Sequence, residues 1–377
     1  MRRTLLSLFA VVAFLLTESV PAFAEPAGFQ TLAIGAAAPD FKLPGVDGKD
    51  YTLASFKDAK LLLVIFTCNH CPTAQAYEAR IKQLQADYKG KGVALIAISP
   101  NDPLAVRLDE LGYTEFGDSF ENMKLRAKDQ GFEFPYLYDG ETQKTSLAYG
   151  VLATPHVFLF DQNRKLRYSG RIDDSDIKAV TSHDTRNAID ALLAGKPVPV
   201  EKTRVFGCST KWAEKREDAK ASLAKWDQEP VELATIDAAG VAKLAKNATD
   251  KLLVVNVWAT WCGPCVAELP EFVTMNRMYR KRDFQLVTIS LDEPEQKEAA
   301  LKALKEQHVA ATNYLSTVES KDKLADLLDK EWQGPVPYTV VIAPGGKVLY
   351  RKSGPLEPLA VKRAVVDFLG RTYASRK

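Results

Sequence analysis

Two cysteine pairs at one spacing, Cys68-Asn69-His70-Cys71 and Cys262-Gly263-Pro264-Cys265, constrain this chain more than any other feature. Ahead of each pair lies a short apolar run, Leu61 to Phe66 and Leu252 to Trp258, with the aliphatic and β-branched content of a buried strand. After each comes a helical pattern: Ala76, Ala79, Ile81, Leu84 and Tyr88 in the first, Leu269, Phe272, Val273 and Met278 in the second. Strand patterns follow at Val93 to Ile98 and Phe284 to Ile289. Each copy then carries an X-Pro step into an apolar run, Thr154-Pro155 leading to Phe160 and Val336-Pro337 leading to Ile342, and closes with a helical pattern, His183 to Leu193 and Pro358 to Leu369.

Strand, cysteine pair, helix, strand and a later two-stranded segment predict an α/β sandwich around a mixed sheet, and the shared order predicts two in tandem. The first copy is longer between its cysteines and its proline, and the surplus falls in the polar stretch Pro100 to Gln130. Between the copies, Gly195 to Val200 reads as an extended exit. Lys211 to Trp226 reads as a charged tether with helical propensity, with the boundary near residue 230.

A cysteine between a strand and a helix places its sulfur near unpaired N–H groups and the positive end of the helix dipole, which favours thiolate over thiol. A second cysteine one turn inside the helix can close a disulfide and resolve a mixed one. Zinc sites use the same spacing, but a zinc ribbon brings its two pairs close together on turns of a small fold. Here the pairs fall in separate domains, so no metal is assigned, and thiol chemistry calls for no cofactor.

Arg2 and Arg3, the uncharged run Leu5 to Leu16 and Ala22-Phe23-Ala24 read as a signal peptide over residues 1–24, too short in its apolar part to span a bilayer. The expected location is periplasmic or otherwise extracytoplasmic, where disulfides persist, with no stable membrane insertion after cleavage. A formal charge of +2 over 377 residues gives no electrostatic reason to expect nucleic acid as a partner.

Trp258-Ala259-Thr260-Trp261-Cys262-Gly263-Pro264-Cys265, with Pro270 beyond and Val336-Pro337 later, resembles the active site of thioredoxins, particularly the exported TlpA/ResA-like oxidoreductases. The resemblance implies a thioredoxin-like domain over 230–371, in which Cys262 attacks and Cys265 resolves. It also implies that Pro337 is cis and that the backbone of Val336 binds a peptide, with Trp261, Gly263 and Pro264 supporting. Asn256 stands where thioredoxin has a proton-moving aspartate, as is usual in that group. Glu268 is either an assisting acid or an exposed helix-start carboxylate.

Residues 29–200 resemble a different branch, the redoxin or AhpC/TSA-like group, through Ala38-Pro39-Asp40-Phe41, Phe66 to Pro72 and Thr154-Pro155, the expected substrate-binding pair of this domain, with the tail Phe206 to Trp212 inside a 201–229 linker. The proline and threonine that a peroxiredoxin needs seven and three residues before its attacking cysteine are absent. Leu61 and Ile65 precede Cys68, and Val64 and Cys68 precede Cys71. The fold expected is therefore two tandem thioredoxin-like α/β sandwiches with mixed central sheets.

The resulting function is an exported thiol-disulfide oxidoreductase acting on protein thiols and disulfides through both pairs. The resemblance implies a membrane redox partner that supplies electrons, with cytochrome c maturation or periplasmic redox homeostasis as its setting. A thiol peroxidase and a copper-binding redox chaperone using Cys68, Cys71 and His70 are the alternatives. His70 either favours the Cys68 thiolate or is a solvent-facing loop residue, and Cys208 is either a buried free thiol or a third redox thiol. A more oxidising first pair predicts electron flow from the second domain to the first across the tether.

Overall fold

The computed structural model describes residue 26 and residues 28–375; the signal-peptide segment lies outside the described residues. In chain order, the first unit comprises β1 (Lys42–Pro44), β2 (Asp50–Thr52), β3 (Leu61–Phe66), α1 (Pro72–Tyr88), β4 (Val93–Ser99), α2 (Phe120–Gln130), β5 (Tyr136–Tyr138) and α3 (Lys144–Tyr149). It continues through β6 (Ala153–Thr154), β7 (His156–Phe160), β8 (Leu166–Gly170), α4 (Asp184–Leu193), β9 (Cys208–Ser209) and α5 (Arg216–Trp226). The second comprises β10 (Ala234–Ile236), α6 (Ala238–Lys246), β11 (Leu252–Trp258), α7 (Gly263–Tyr279), β12 (Phe284–Ser290) and α8 (Lys297–Glu306). It ends with β13 (Thr312–Ser316), α9 (Lys321–Leu328), β14 (Tyr338–Ile342), β15 (Val348–Ser353) and α10 (Pro358–Leu369).

Each unit is built on a mixed sheet, β5-β4-β3-β7-β8 in the first and β10-β13-β12-β11-β14-β15 in the second. The central strands β3 and β11 pair parallel to β4 and β12 on one side and antiparallel to β7 and β14 on the other. Helices cover both faces, so β3 and β11 are buried along their whole length and read as continuous apolar runs rather than alternating ones. Leu61, Leu63 and Ile65 enter one core, and Leu62, Val64 and Phe66 enter the other. No helix among the described residues is long and apolar enough to cross a membrane.

The surplus of the first copy lies where the sequence placed it, between β4 and β5, and it has a structural use. Residues 103–118 leave the first unit as an arm that lies on the C-terminal end of α7. Leu108 and Leu111 pack on the cluster holding Met278, Tyr279 and Phe284, and Tyr279 Oη donates to Thr114 O at 3.2 Å. Arg282 Nη1 donates to Gly112 O at 2.5 Å, and Arg371 Nη2 to Glu115 Oε1 at 2.9 Å. The segment Lys211 to Trp226, expected as a charged tether with helical propensity, does form a helix over Arg216–Trp226, and it is packed down on the protein. Lys211 and Trp212 are buried, α5 lies against the turn Pro103–Ala105, and Arg280 stacks its guanidinium on Trp226 at 4.9 Å. Its charged residues Glu217, Asp218, Lys220 and Lys225 stay exposed, while Ala219 and Trp226 are buried.

Candidate active sites

In the second unit the chain leaves β11 at Trp258 and turns through Thr260, whose N–H and hydroxyl both donate to Asp292, the latter at 2.5 Å. Cys262 is the N-cap of α7, Gly263 and Pro264 open the helix, and Cys265 follows one turn in, joined to Cys262 by a disulfide. Proline is tolerated there because the first helical N–H groups have no partner in the helix. Trp261 is 57% exposed beside Cys262, whereas Cys265 is fully buried. Beneath the pair, Asn256 Nδ2 donates to Glu268 Oε1 at 3.1 Å, and the N–H of Leu356 donates to Glu268 Oε2 at 2.9 Å. Glu268 is thus buried, not an exposed helix-start carboxylate. Burial pushes its pKa up, against the opposing effect of those two donors. The Val336-Pro337 bond is cis, Val336 is half-buried, and among the described residues no strand pairs with it.

The first unit repeats this geometry with its cysteines displaced. Phe66 pairs with His156 after the cis bond Thr154-Pro155, and Val257 pairs with Tyr338 after Val336-Pro337. The same two residues pair with Ile98 and Ile289 in the parallel ladders, which makes Phe66 and Val257 equivalent. Counted from them, Cys71 falls on Cys262, Ala74 on Cys265, Cys68 on Ala259 and Ile65 on Asn256. Cys71 is accordingly the N-cap of α1, accepting from the N–H of Ala74 at 3.5 Å. This corrects the reading of Cys68 as the helix-start thiol and Cys71 as the one inside the helix. The overlooked signal was Pro72, a favoured first helical residue that starts α1 after Cys71 rather than before it.

The electrostatics follow the corrected register. Burial raises the Cys71 pKa, but hydrogen bonds from Cys208 and Cys68, the charge of His70 and the Ala74 N–H outweigh it, and the net direction is well below an ordinary thiol. Cys68 moves well above, through burial, its hydrogen bond to Cys71 and the charge of Asp118. Cys68 Sγ also lies 3.1 Å from Thr154 Oγ1, and Cys71 Sγ 3.4 Å from Thr154 O. His70 is not solvent-facing. It is buried, with Nδ1 2.5 Å from Asp118 Oδ2, and although burial lowers its pKa the Asp118 carboxylate more than compensates. Asp118 also accepts from the N–H groups of Asn69 and His70 and from Asn101 Nδ2 at 2.7 Å. Its pKa is lowered because His70 and these donors outweigh burial. Neither Asp118 nor Asn101 carried a sequence signal, since the turns that present them are set by tertiary contacts.

Cys68 Sγ, a ring nitrogen of His70 and an Asp118 oxygen lie within 4.8 Å of one another. This donor set fits a metal poorly, because Asp118 is already engaged by four donors and the shared proton of the His70–Asp118 bond would have to leave. Cys208, half-buried, packs on Cys68, Cys71 and Ala74, and β9 pairs antiparallel with β6 so that Cys208 lies opposite Thr154. His156 is a structural residue, its Nε2 3.1 Å from Ser169 Oγ and its pKa pulled down to about 3 by burial.

Two mixed sheets, each offering a cysteine at a helix start beside an X-cis-Pro segment, define an oxidoreductase of the thioredoxin class. The AhpC/TSA family model matches residues 34–169 and 227–351, and the chain belongs to that family. Among curated proteins it is similar to the thiol-disulfide oxidoreductase ResA of Geobacillus thermodenitrificans, 27% identical over 39% of this chain and 75% of the relative. It is also similar to the thiol:disulfide interchange protein DsbE of Yersinia pestis, 28% identical over 45% of this chain and 82% of the relative. A hypothetical protein of Sinorhizobium meliloti of known structure is 37% identical over 49% of this chain and 97% of its own, with a TM-score of 0.44.

Proposed function

We propose that the chain is an exported thiol-disulfide oxidoreductase whose principal site is Cys262 and Cys265, with a second site at Cys71 and Cys68. The proposal takes residues 29–200 and 230–371 as its two catalytic domains. The observation that carries it is the second-unit site, where Cys262 caps α7 beside an exposed Trp261 and the backbone of Val336 is left unpaired by any strand among the described residues. A protein disulfide lying along Val336 brings its sulfur to Cys262, whose thiolate is favoured by the helix start. Attack forms a mixed disulfide, and Cys265, one turn inside, displaces the product thiol. Glu268, held on Asn256 beneath the pair with its pKa raised, accepts the Cys265 proton in that step. The N-terminal pattern of the sequence supports an extracytoplasmic location, and the resemblance to TlpA/ResA-like proteins supports a membrane partner as electron source and apocytochrome c as one substrate class.

The test is reduction of insulin by the purified protein with dithiothreitol, expected to depend on Cys262. Full activity in Cys262→Ser sinks the assignment of the principal site.

A further inference from the structure

The first site differs from the second in being covered by its own chain, so Thr154-Pro155 is not open to substrate as the sequence suggested. β9 lies along Thr154, the position equivalent to the open Val336, and it approaches so closely that a Cβ on Gly207 (φ +141°) would meet Thr154 O at 2.1 Å. The segment is pinned on both sides: Thr210 Oγ1 donates to Val151 O at 2.9 Å, and the N–H of Lys211 to Asn101 Oδ1 at 2.9 Å. Beneath it Cys71 is 0% exposed and Cys68 3% exposed, so neither sulfur is open to an incoming disulfide. Cys208 is half-buried and lines a cavity of about 320 Å³ with His70, Arg107, Glu110, Lys211 and Arg282, between the first unit and the C-terminal end of α7. Its side chain packs on the Cys68, Cys71 and Ala74 cluster.

We propose that Cys208 is the exchange thiol of the first domain, taking the mixed disulfide from an incoming disulfide in this cavity and passing it inward to Cys71 and then to Cys68. This rests on the thiol-disulfide reading above. Cys208 gives its proton to solvent at the cavity as its sulfur attacks one sulfur of the incoming disulfide; an S–S bond forms, the old one breaks and one product thiolate leaves, taking a proton from solvent. The Cys71 thiolate attacks Cys208, forming Cys71–Cys208 and releasing the second product thiolate. Cys68 then attacks Cys71, its proton going to the second product, and Cys208 returns as a thiolate that takes a proton from solvent. In sum the Cys68 thiol and the Cys71 thiolate lose two electrons and one proton, and the incoming disulfide gains two electrons and two protons, the second drawn from solvent. The cavity volume suits a small disulfide or one on an extended peptide rather than a folded surface.

Glutathione disulfide is the probe, added to the reduced two-domain protein, with acid trapping and disulfide mapping by mass spectrometry. Wild type is expected to end with Cys68–Cys71, and Cys68→Ser to stall at Cys71–Cys208. Both Cys208→Ser and Cys208→Ala should slow oxidation of the Cys68–Cys71 pair by about tenfold or more, since attack must then reach a buried sulfur. Cys71 and Cys208 both remaining thiols in Cys68→Ser, or wild-type rates in the Cys208 variants, overturn the proposal. The Cys68→Ser trap keeps Cys208 in place and decides the matter should the Cys208 variants misfold. Insulin reduction through Cys262 is read in parallel: its failure sinks the oxidoreductase reading, whereas the mapping outcomes sink only the role of Cys208.

Discussion

Replacing Asp118 by Asn should uncouple the first site from its histidine. Asp118 takes four donors, two backbone N–H groups on Oδ1 and His70 Nδ1 with Asn101 Nδ2 on Oδ2. The amide keeps the Oδ1 pair but turns an N–H₂ toward the other two, so His70 must become the acceptor and lose its charge while Asn101 loses its partner. Hydrogen bonds to charged groups contribute about 1.5–3 kcal/mol each, and with partial recovery through a neutral His70 the expected loss is about 2–4 kcal/mol. The pH dependence has a definite sign. Asp118 has a lowered folded pKa, so its contribution is present above the ordinary value and lost as pH falls through the folded one; His70 has a raised one, so its contribution is complete below its ordinary value and lost as pH rises through the folded one. The deficit of the variant is therefore largest between about pH 4 and 6.5 and narrows on either side. Without the imidazolium the Cys71 thiol should also titrate higher, because the charge of His70 is one of the causes that hold it down. Denaturant unfolding across pH measures the first effect. Ultraviolet thiolate titration, with Cys262–Cys265 held as the disulfide, measures the second. An unshifted Cys71 titration together with an unchanged stability profile would refute the coupling.

Three further outcomes are expected. Hydrogen peroxide should be consumed slowly, because Val64 and Cys68 stand seven and three residues before Cys71 where a peroxidase site needs proline and threonine; fast, saturable turnover dependent on Cys71 contradicts this. Glu268→Gln should slow resolution of the Cys262 mixed disulfide by about a hundredfold, the lower end of general-base effects, and flatten its pH profile near neutrality; stopped-flow measurement with an unchanged profile rules out a proton-accepting role. In place of the flow across the tether expected from the sequence, electron transfer between the two pairs should be intermolecular, because the arm 103–118 docks the first site at the far end of α7, about 25 Å from Cys262 at 1.5 Å per helical residue. After pre-reduction of the second pair alone, a transfer rate independent of protein concentration contradicts that separation.

What the sequence determined by itself was local. Apolar runs, helical spacing and X-Pro steps located β3, β11, β14, α1, α7 and α10 with their cysteines, because a buried strand between helices and an amphipathic helix each leave a periodic signature in neighbouring residues. The mixed-sheet sandwich followed, since those elements have few ways to bury their faces together. The tertiary structure alone decided which sulfur is the helix-start thiol, because equal Cys-x-x-Cys spacing conceals a three-residue difference in register that only the ladders Phe66–His156 and Val257–Tyr338 reveal. It alone brought Asp118 to His70 and Cys208 to Cys71, partners separated by long stretches of chain and joined by loops whose polar residues carry no periodicity. The polar surplus after β4 was legible as an insertion. That Leu108 and Leu111 clamp it onto α7, and so hold the two sites apart, depends on complementarity between surfaces that no one-dimensional pattern records.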